Sequence, residues 1–407
     1  MTFVPPTVRR RSGPALAALF LAAFVMGSAE LVVVGLLRLV AGDLEVSVDT
    51  AGTLVTAYAL GICFGGPLLM ALTIRIRRRT LVWMSLAGYV AGSLLAALAP
   101  GFGTLLVARA ATGALQGLFL GAAFTVAAAL VPPERTGRAI SVVFGGIAVS
   151  TALGVPLGTL AAQHMGWRAA FTAIVLLGTL ALLATVVWVP PVDGSGTGGL
   201  WSQFRHALAP RGLAVLGVGF LLMGGQFAAF TYITPFLEDV TGVSGTGLTV
   251  FLFVYGVATA VGTFAGGWAA DRDAARTLVM ANLALLVALA TLHLAGTSRV
   301  MVALALVLWG VAGFGLVPSL QHRVVLLAGP GRDLASTLPA SAVNAGIAIG
   351  AVAGGVAVSH GGATDAVLTG LLVCAVALPA TWMSGRLRPA AVGSRSDPAG
   401  AGARPTL

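Results

Sequence analysis

The sequence predicts an all-α membrane protein whose twelve transmembrane helices form two pseudo-symmetric six-helix bundles. First, 58% of its 407 residues are hydrophobic and only 9% are charged, whereas about 25% of a soluble domain is charged. Second, apolar segments long enough to cross about 30 Å of hydrocarbon recur twelve times. Third, segments of the first half recur in the second half at one constant offset.

The twelve segments divide the chain into two bundles of six. The longest connection, and the only one rich in Gly and Ser, lies between the sixth and seventh segments. We expect a cytoplasmic N-terminal tail at 1–14, bundles at 15–189 and 212–385, a cytoplasmic linker at 190–211 and a disordered cytoplasmic tail at 386–407. The segments lie near 15–40, 50–73, 80–99, 103–130, 138–163, 169–189, 212–235, 247–270, 277–296, 300–320, 334–358 and 364–384.

The repeat is visible in short identical stretches. Arg79-Thr-Leu-Val recurs as Arg276-Thr-Leu-Val, 197 residues later, and the same offset aligns Gly113 with Gly310. A single offset that serves several helices implies two bundles related by an axis along the membrane normal. A binding site is then expected between the bundles, near the middle of the membrane.

Arginine predicts the orientation, because all 23 basic residues are Arg. With the N-terminus inside, nineteen of them lie on the cytoplasmic side, Arg38, Arg168 and Arg299 lie outside, and Arg109 lies within the membrane. An even number of spans makes both termini cytoplasmic. The use of Arg alone indicates a GC-rich bacterium, so we expect the protein in the inner membrane of a bacterial cell. The net charge of +10 therefore reflects topology, and we expect no nucleic acid partner.

Missing residues exclude several function classes. Without Lys the chain has no P-loop, so it cannot itself be an ATP-driven pump. Cys63 and Cys374 lie in apolar segments, and no two histidines have metal-ligand spacing. We therefore expect no metal and no cofactor. A membrane enzyme needs several convergent polar groups, and only Glu30 and Arg109 are candidates, so we predict that the chain is not an enzyme.

Glu30 is an acid in the middle of the first apolar segment. A charged side chain at the centre of a bilayer costs roughly 2.5–3.5 kcal/mol on insertion scales. Either Glu30 is a hydrogen-bonded acid that holds two helices together, or it is a proton or substrate site of a transporter.

Helix 4 places Arg109, Gly113, Gly117 and Gly121 at intervals of four residues, hence on one stripe. Glycines on such a stripe let another helix approach closely. Arg109 is either a partner of Glu30 that favours its ionised form or an arginine that reaches toward the membrane interface.

Two further patterns contain charged or helix-bending residues. Helix 5 contains Gly154-Val-Pro156-Leu-Gly158, and the loop after helix 8 contains Gly267-Trp-Ala-Ala-Asp271-Arg272. At the repeat position of Asp271–Arg272 the first half has Ile74 and Arg75. The helix 5 pattern is either a directional signature or a structural kink, and the loop pattern is either a latch between helices or a solvated turn.

Together these motifs resemble the major facilitator superfamily, and within it the twelve-helix drug:proton antiporters. The loop pattern resembles the superfamily's G-x-x-x-D-R signature, the Arg109 stripe its helix 4 motif, and Gly154–Gly158 a variant of the antiporter motif typical of exporters. The resemblance implies the major facilitator fold, proton coupling through Glu30 and Arg109, and gating through Asp271, Arg272, Arg75, Gly154, Pro156 and Gly158. Bacterial chloramphenicol-resistance and arabinose-efflux permeases are the members it resembles most.

The predicted function is proton-coupled export of small amphipathic compounds, such as chloramphenicol-like antibiotics, by alternating access. An exporter of a small metabolite (a sugar, nucleoside or amino acid) is the alternative. We expect a monomer whose partners are protons, the lipid bilayer and a small-molecule substrate. Polar or aromatic groups on otherwise apolar helices are the candidate substrate contacts, although each could equally be a bond between helices: Tyr58, Gln116, Gln226, Tyr232 and Asn344.

Overall fold

A computed structural model describes residues 6–73, 75–132, 136–191, 210–327 and 338–387. Within these ranges, twelve helices are long and apolar enough to cross a membrane, which confirms the prediction. Their bounds are α1 Ser12–Asp43, α2 Val48–Met70, α3 Arg78–Ala97, α4 Phe102–Ala129, α5 Val142–Met165, α6 Trp167–Trp188, α7 Pro210–Asp239, α8 Thr246–Ala270, α9 Arg272–Ala295, α10 Arg299–Val324, α11 Pro339–Gly361 and α12 Ala363–Gly385.

The boundaries agree with the sequence to within a few residues, and the differences have local causes. Helix α7 extends to Asp239 because a short turn at Thr231–Tyr232 continues directly into a last helical piece. Helix α9 begins earlier than expected because it continues almost directly from α8, with a kink at Asp273, the second residue of α9, whose backbone is non-helical. Most of the predicted linker (192–209) and tail (388–407) lies outside the described residues.

Short connections end the helices. Gly166 between α5 and α6 has φ +82° and Gly362 between α11 and α12 has φ +85°, a backbone region that favours glycine because it has no Cβ. Helix α2 begins at an N-cap, Ser47, whose hydroxyl accepts from the Thr50 amide, and Asp49 lies in its first turn. Such a carboxylate is favourable beside the positive end of the helix dipole.

The repeat predicted from sequence is confirmed by matching helix contacts. In the first bundle a Cβ added at Gly113 of α4 would lie 2.1 Å from the Tyr58 carbonyl oxygen of α2. In the second, a Cβ added at Gly310 of α10 would lie 2.8 Å from the Tyr255 carbonyl oxygen of α8. Because 197 residues separate both members of the two pairs, the bundles share the same close approach of backbones.

Two helices contain a π-helical turn just before a proline. In α2 the turn covers Gly61–Gly65 and Pro67 follows, and in α5 it covers Ser150–Gly154 and Pro156 follows. Proline has no N–H and its ring displaces the carbonyl four residues earlier. The wider turn re-satisfies the backbone at the bend, as a helix in lipid requires.

Helices α1 and α7 lie at the centre of the fold. In each, 72% of the most apolar stretch is buried, against 33–50% in the other ten spans. Between the bundles, α2 packs on α11 and α5 packs on α8, two pairs that the repeat relates to one another. We call the side of the membrane at which α1 ends, near Asp43, the far face, and the opposite side the near face.

Candidate functional site

Glu30 lies about 20 Å from the far end of α1, since thirteen residues at 1.5 Å each separate it from Asp43. Its neighbours Met26, Ala29 and Val33 are buried, whereas Glu30 itself is partly exposed. A carboxylate at mid-membrane that is not sealed into a helix contact can exchange a proton or meet a charged ligand. This exposure is the property that a purely structural acid does not need.

The Glu30 carboxylate is held by a chain of hydrogen bonds from three helices. Gln116 Nε2 of α4 donates to Glu30 Oε2 at 2.5 Å, and the Tyr58 hydroxyl of α2 donates to Gln116 Oε1 at 2.5 Å. The Tyr89 hydroxyl of α3 lies 3.0 Å from that of Tyr58. Since the proton of Tyr58 is given to Gln116, Tyr89 is the donor in this contact, and its one proton is shared with the Met26 carbonyl at 3.3 Å. Tyr58 and Gln116, predicted separately as substrate contacts, therefore form one network with Glu30.

Arg109 binds the backbone of α1 beside this carboxylate. Its Nη1 donates to the Ala29 carbonyl at 2.8 Å and its Nη2 to the Glu30 carbonyl at 3.1 Å. The guanidinium also stacks 3.9 Å from the centre of the Tyr58 ring. Arg109 is buried and does not reach the membrane interface. Arg109 therefore places a positive charge close to Glu30, while its hydrogen bonds go to main-chain carbonyl oxygens of α1.

The glycine stripe of α4 makes this geometry possible. A Cβ at Gly113 would lie 2.1 Å from the Tyr58 carbonyl oxygen, and a Cβ at Gly61 would lie 2.2 Å from the Ala110 carbonyl oxygen. Helices α2 and α4 therefore touch through their backbones. This contact brings the long side chains of Tyr58 and Gln116 within a hydrogen bond of each other.

Gly154 and Gly158 of α5 pack on α1 at the depth of Glu30, and Pro156 between them is buried. A Cβ at Gly154 would lie 1.9 Å from Ser28 Oγ, and one at Gly158 would lie 2.5 Å from Val32 Cγ2. Ser28 and Val32 flank Glu30 on either side. The motif thus determines how closely α5 approaches the segment that carries the acid.

Gln226 of α7 lies one residue before the repeat position of Glu30 and is closed off. It is 1% exposed, its Oε1 accepts from Trp309 Nε1 at 3.2 Å and its Nε2 donates to the Gly313 carbonyl at 3.3 Å. Trp309, Tyr255 and Phe230 form an aromatic cluster with centroids 4.7–5.9 Å apart. At this depth the second bundle therefore contains a packed cluster of aromatic rings, and Gln226 ties α7 to α10.

Tyr232 and Asn344 lie away from the Glu30 network. The Tyr232 hydroxyl donates to the Ala351 carbonyl at 3.2 Å and approaches the Asp49 carbonyl at 3.5 Å, where the two bundles meet. Asn344 Nδ2 donates within its own helix to the Ala340 carbonyl at 2.9 Å, and its Oδ1 is buried without a partner. Asn344 is the member of this pair with an acceptor still available to a ligand.

At the near face the loop after α8 is an ordered turn. Asp273 Oδ1 accepts from the Arg276 amide at 2.9 Å and so caps α9. Arg272 stacks on the Trp268 ring and donates to the Trp268 carbonyl at 3.2 Å. The side chain of Asp271 lies outside the described part of the structure, and Arg75 of the first-half loop is exposed.

Sequence reasoning missed Tyr89 and Asp273. Tyr89 is one of only four tyrosines in the chain and lies in an apolar helix, which is a usable signal for a polar contact inside a membrane. Asp273 follows the recognised loop motif by one residue, at a position where an N-cap begins the next helix. Among the described residues, no group of three His, Cys, Asp or Glu could hold a metal ion.

Comparison with known proteins identifies the family. The sequence model of the family named Major Facilitator Superfamily matches residues 19–338. The chain is 36% identical to the uncharacterized MFS-type transporter YtbD of Bacillus subtilis (91% of this chain, 95% of the relative) and 33% identical to the inner membrane transport protein YdhP of Escherichia coli (93% and 97%). It is 31% identical to a chloramphenicol resistance protein of Streptomyces lividans, over 84% of this chain and 88% of that protein.

Solved structures agree on the fold. A bacterial homologue of the lysosomal transporter Spinster, in an inward-facing and unoccupied conformation, superposes with a TM-score of 0.76 at 15% identity and covers 94% of this chain and 98% of its own. A D-xylose-proton symporter gives a TM-score of 0.72 at 16% identity, over 92% and 98%. The family and these relatives are transporters, not enzymes. The chain belongs to the major facilitator superfamily and is a multi-pass membrane transporter.

Proposed function

We propose that the protein is a proton-coupled exporter of small amphipathic compounds, such as chloramphenicol-like antibiotics, that works by alternating access. One observation carries the proposal: Glu30 is a half-buried acid at mid-membrane, held by Gln116 and placed beside Arg109. Isolated acids in this environment mark proton or substrate paths.

The hydrogen-bond network around Glu30 suits an acid that takes up and releases a proton. Gln116 binds Oε2 and leaves Oε1 to take up a proton or to meet a cationic group of the substrate. Arg109 stabilises the ionised form by its nearby charge, while its bonds to two carbonyls keep α1 in place in both states. Protonation and substrate binding then compete for the same group, which couples the two fluxes.

The energy available is sufficient for export. One proton that moves inward across about 100 mV releases roughly 2.3 kcal/mol. Since 1.4 kcal/mol corresponds to a tenfold change in an equilibrium constant, one proton supports more than tenfold accumulation of substrate outside.

We propose that the near face is cytoplasmic, because arginine is concentrated there. Only Arg38, Arg168 and Arg299 lie at the far face among the described residues. Cytoplasmic loops carry the excess of basic residues in membrane proteins. The arginines at the near-face ends and loops of the described helices are Arg75, Arg77, Arg78, Arg79, Arg211, Arg272, Arg276, Arg323 and Arg386.

A neutral or weakly cationic substrate fits this site best. At mid-membrane the first bundle contributes the acid Glu30, and the second bundle contributes the aromatic cluster of Phe230, Tyr255 and Trp309. The relative from Streptomyces lividans, named as a chloramphenicol resistance protein, supports an antibiotic as the substrate class. All of these groups belong to one chain, which supports a carrier that works as a monomer.

The test combines transport with one isosteric substitution. In everted vesicles the parent should show substrate-driven proton flux, and Glu30→Gln should abolish it because the amide cannot exchange a proton. Glu45→Gln is the matched control, since Glu45 is exposed in the loop after α1. Full substrate-driven proton flux in Glu30→Gln would show that another group couples the proton.

A second measurement identifies the substrate class. A drug-susceptibility panel in an efflux-deficient host should show resistance to amphipathic antibiotics that a protonophore removes. Unchanged susceptibility, together with proton-dependent export of a sugar, nucleoside or amino acid, would replace the antibiotic by a metabolite as the substrate.

A further inference from the structure

The two central helices end side by side at the far face, and an ion-pair cluster joins them. Arg38 of α1 is paired with Glu238 of α7 at 2.7 Å between Nε and Oε2, and with Asp239 through Nη2. Helix α1 belongs to the first bundle and α7 to the second. The cluster therefore connects the two bodies that alternating access requires to move apart.

A buried hydrogen bond lies one turn below this cluster. Thr234 Oγ1 of α7 donates to the Val34 carbonyl of α1 at 2.8 Å, and both residues are buried. Nearby, a Cβ added at Gly52 of α2 would lie 2.0 Å from the Tyr232 hydroxyl of α7. The two bundles are thus in tight contact below the ion pairs. Thr234 is shielded from the far face as long as the ion pairs are intact.

The first bundle has its own anchor for the end of α1. Asp43 accepts from Trp167 Nε1 at 2.9 Å and pairs with Arg168, both from α6 of the same bundle. This anchor holds the end of α1 to the first bundle when α7 moves. Opening the far face therefore separates Arg38 from Glu238 and Asp239.

We propose that Arg38, Glu238 and Asp239 form a gate, which we call the α1–α7 latch, that favours the conformation closed at the far face and breaks at each opening to that face. The proposal rests on the alternating access of the proposed function but not on Glu30 or on the proton. The three side chains are 39%, 25% and 57% exposed, so solvent weakens the attraction. We expect the latch to shift the equilibrium between closed and open forms by roughly twofold to tenfold.

The test measures how often the far face opens. In a background with Cys63→Ala and Cys374→Ala, Thr234→Cys provides a single reporter thiol that is buried between the halves when the far face is closed. A membrane-impermeant maleimide is applied to the far face, and the labelling rate is measured without substrate and without a proton gradient. In this background Arg38→Gln should raise the rate about threefold to tenfold.

Matched variants separate a latch from general loosening. Arg299→Gln removes an exposed arginine at the same face whose side chain donates to the Gly242 carbonyl of its own bundle, so the rate should stay within about 1.5-fold of the parent. Glu238→Gln combined with Asp239→Asn should raise the rate as Arg38→Gln does. The charge swap Arg38→Asp with Asp239→Arg should return it toward the parental value.

Two results would overturn the latch. The first is a parental labelling rate in both Arg38→Gln and the Glu238→Gln/Asp239→Asn pair. The second is an equal increase in Arg299→Gln, which would mean that any lost charge at this face loosens the bundle. Because the labelling needs neither substrate nor proton flux, its outcome is independent of the Glu30→Gln transport test.

Discussion

Replacing Gly113 by alanine should disconnect the Glu30 network without touching any of its polar groups. A Cβ at this position would lie 2.1 Å from the Tyr58 carbonyl oxygen, whereas ordinary contacts begin near 3.4 Å. The obstacle is backbone, so α2 and α4 must separate by about 1.3 Å. Applied to the 2.5 Å bond from Tyr58 to Gln116, that displacement exceeds the reach of a hydrogen bond.

The expected magnitudes follow from two opposing terms. Overpacking of this kind costs typically 1–3 kcal/mol, while alanine in a helix interior gains about 1 kcal/mol over glycine. We expect a net destabilisation of up to about 2 kcal/mol and at least fivefold slower transport, because Gln116 loses the donor that orients it toward Glu30. Gly217→Ala in α7 is the control, since nothing lies within 4 Å of its added Cβ, and it should show only the gain.

Thermal unfolding in detergent and initial transport rates in vesicles measure the two effects side by side. Gly113→Ala should unfold at a lower temperature than Gly217→Ala and transport more slowly. If both variants have equal stability and full transport, the α2–α4 contact tolerates the displacement and does not position the network.

Three further substitutions test single contacts. Tyr58→Phe should slow transport about fivefold to tenfold, because Gln116 loses a donor at 2.5 Å. The repeat-related Tyr255→Phe should transport within twofold of the parent. Equal effects of the two substitutions would contradict the role of the Glu30 network. Arg109→Lys should reduce transport at least tenfold, since an ammonium cannot bind two carbonyls in the geometry of a guanidinium; parental transport by the lysine variant would show that charge alone suffices. Asp273→Ala should lower the free energy of unfolding by about 1 kcal/mol, because α9 loses its N-cap. Asp273→Asn should restore most of this stability in the same melting assay. An alanine variant as stable as the parent would refute the cap.

The helices were predictable because a helix that crosses the bilayer needs a run of about 20 mostly apolar residues, and their number and approximate bounds are confirmed. Tyr58 and Gln116 were predicted only as separate substrate candidates beside Glu30. Their mutual contact was not predictable, because it depends on how α1, α2 and α4 rotate and approach one another. The glycines that allow that approach are readable in the sequence, but the partner of each is not.

The role of Arg109 illustrates the same limit. Its position in an apolar helix indicated a functional or structural charge, and a direct partnership with the Glu30 carboxylate was one interpretation. In the structure its nitrogens reach the Ala29 and Glu30 carbonyls. Main-chain acceptors are present at every residue and leave no trace in the sequence, so only the helix geometry could reveal this contact.

The 197-residue repeat duplicates the close helix contacts on which movement of the carrier depends, but it does not duplicate the polar groups proposed to bind the proton. The backbone contact of Gly113 with Tyr58 recurs as that of Gly310 with Tyr255, so the scaffold is duplicated. The polar groups are not: the repeat positions of Glu30, Arg109 and Gln116 hold Phe227, Leu306 and Gly313. Two bodies that rock against each other both need close, stiff helix contacts, but one exchangeable proton needs only one carboxylate. A second acid at Phe227 would add another insertion cost of roughly 2.5–3.5 kcal/mol and repel Glu30, whereas an aromatic surface there can contact an amphipathic substrate at no such cost.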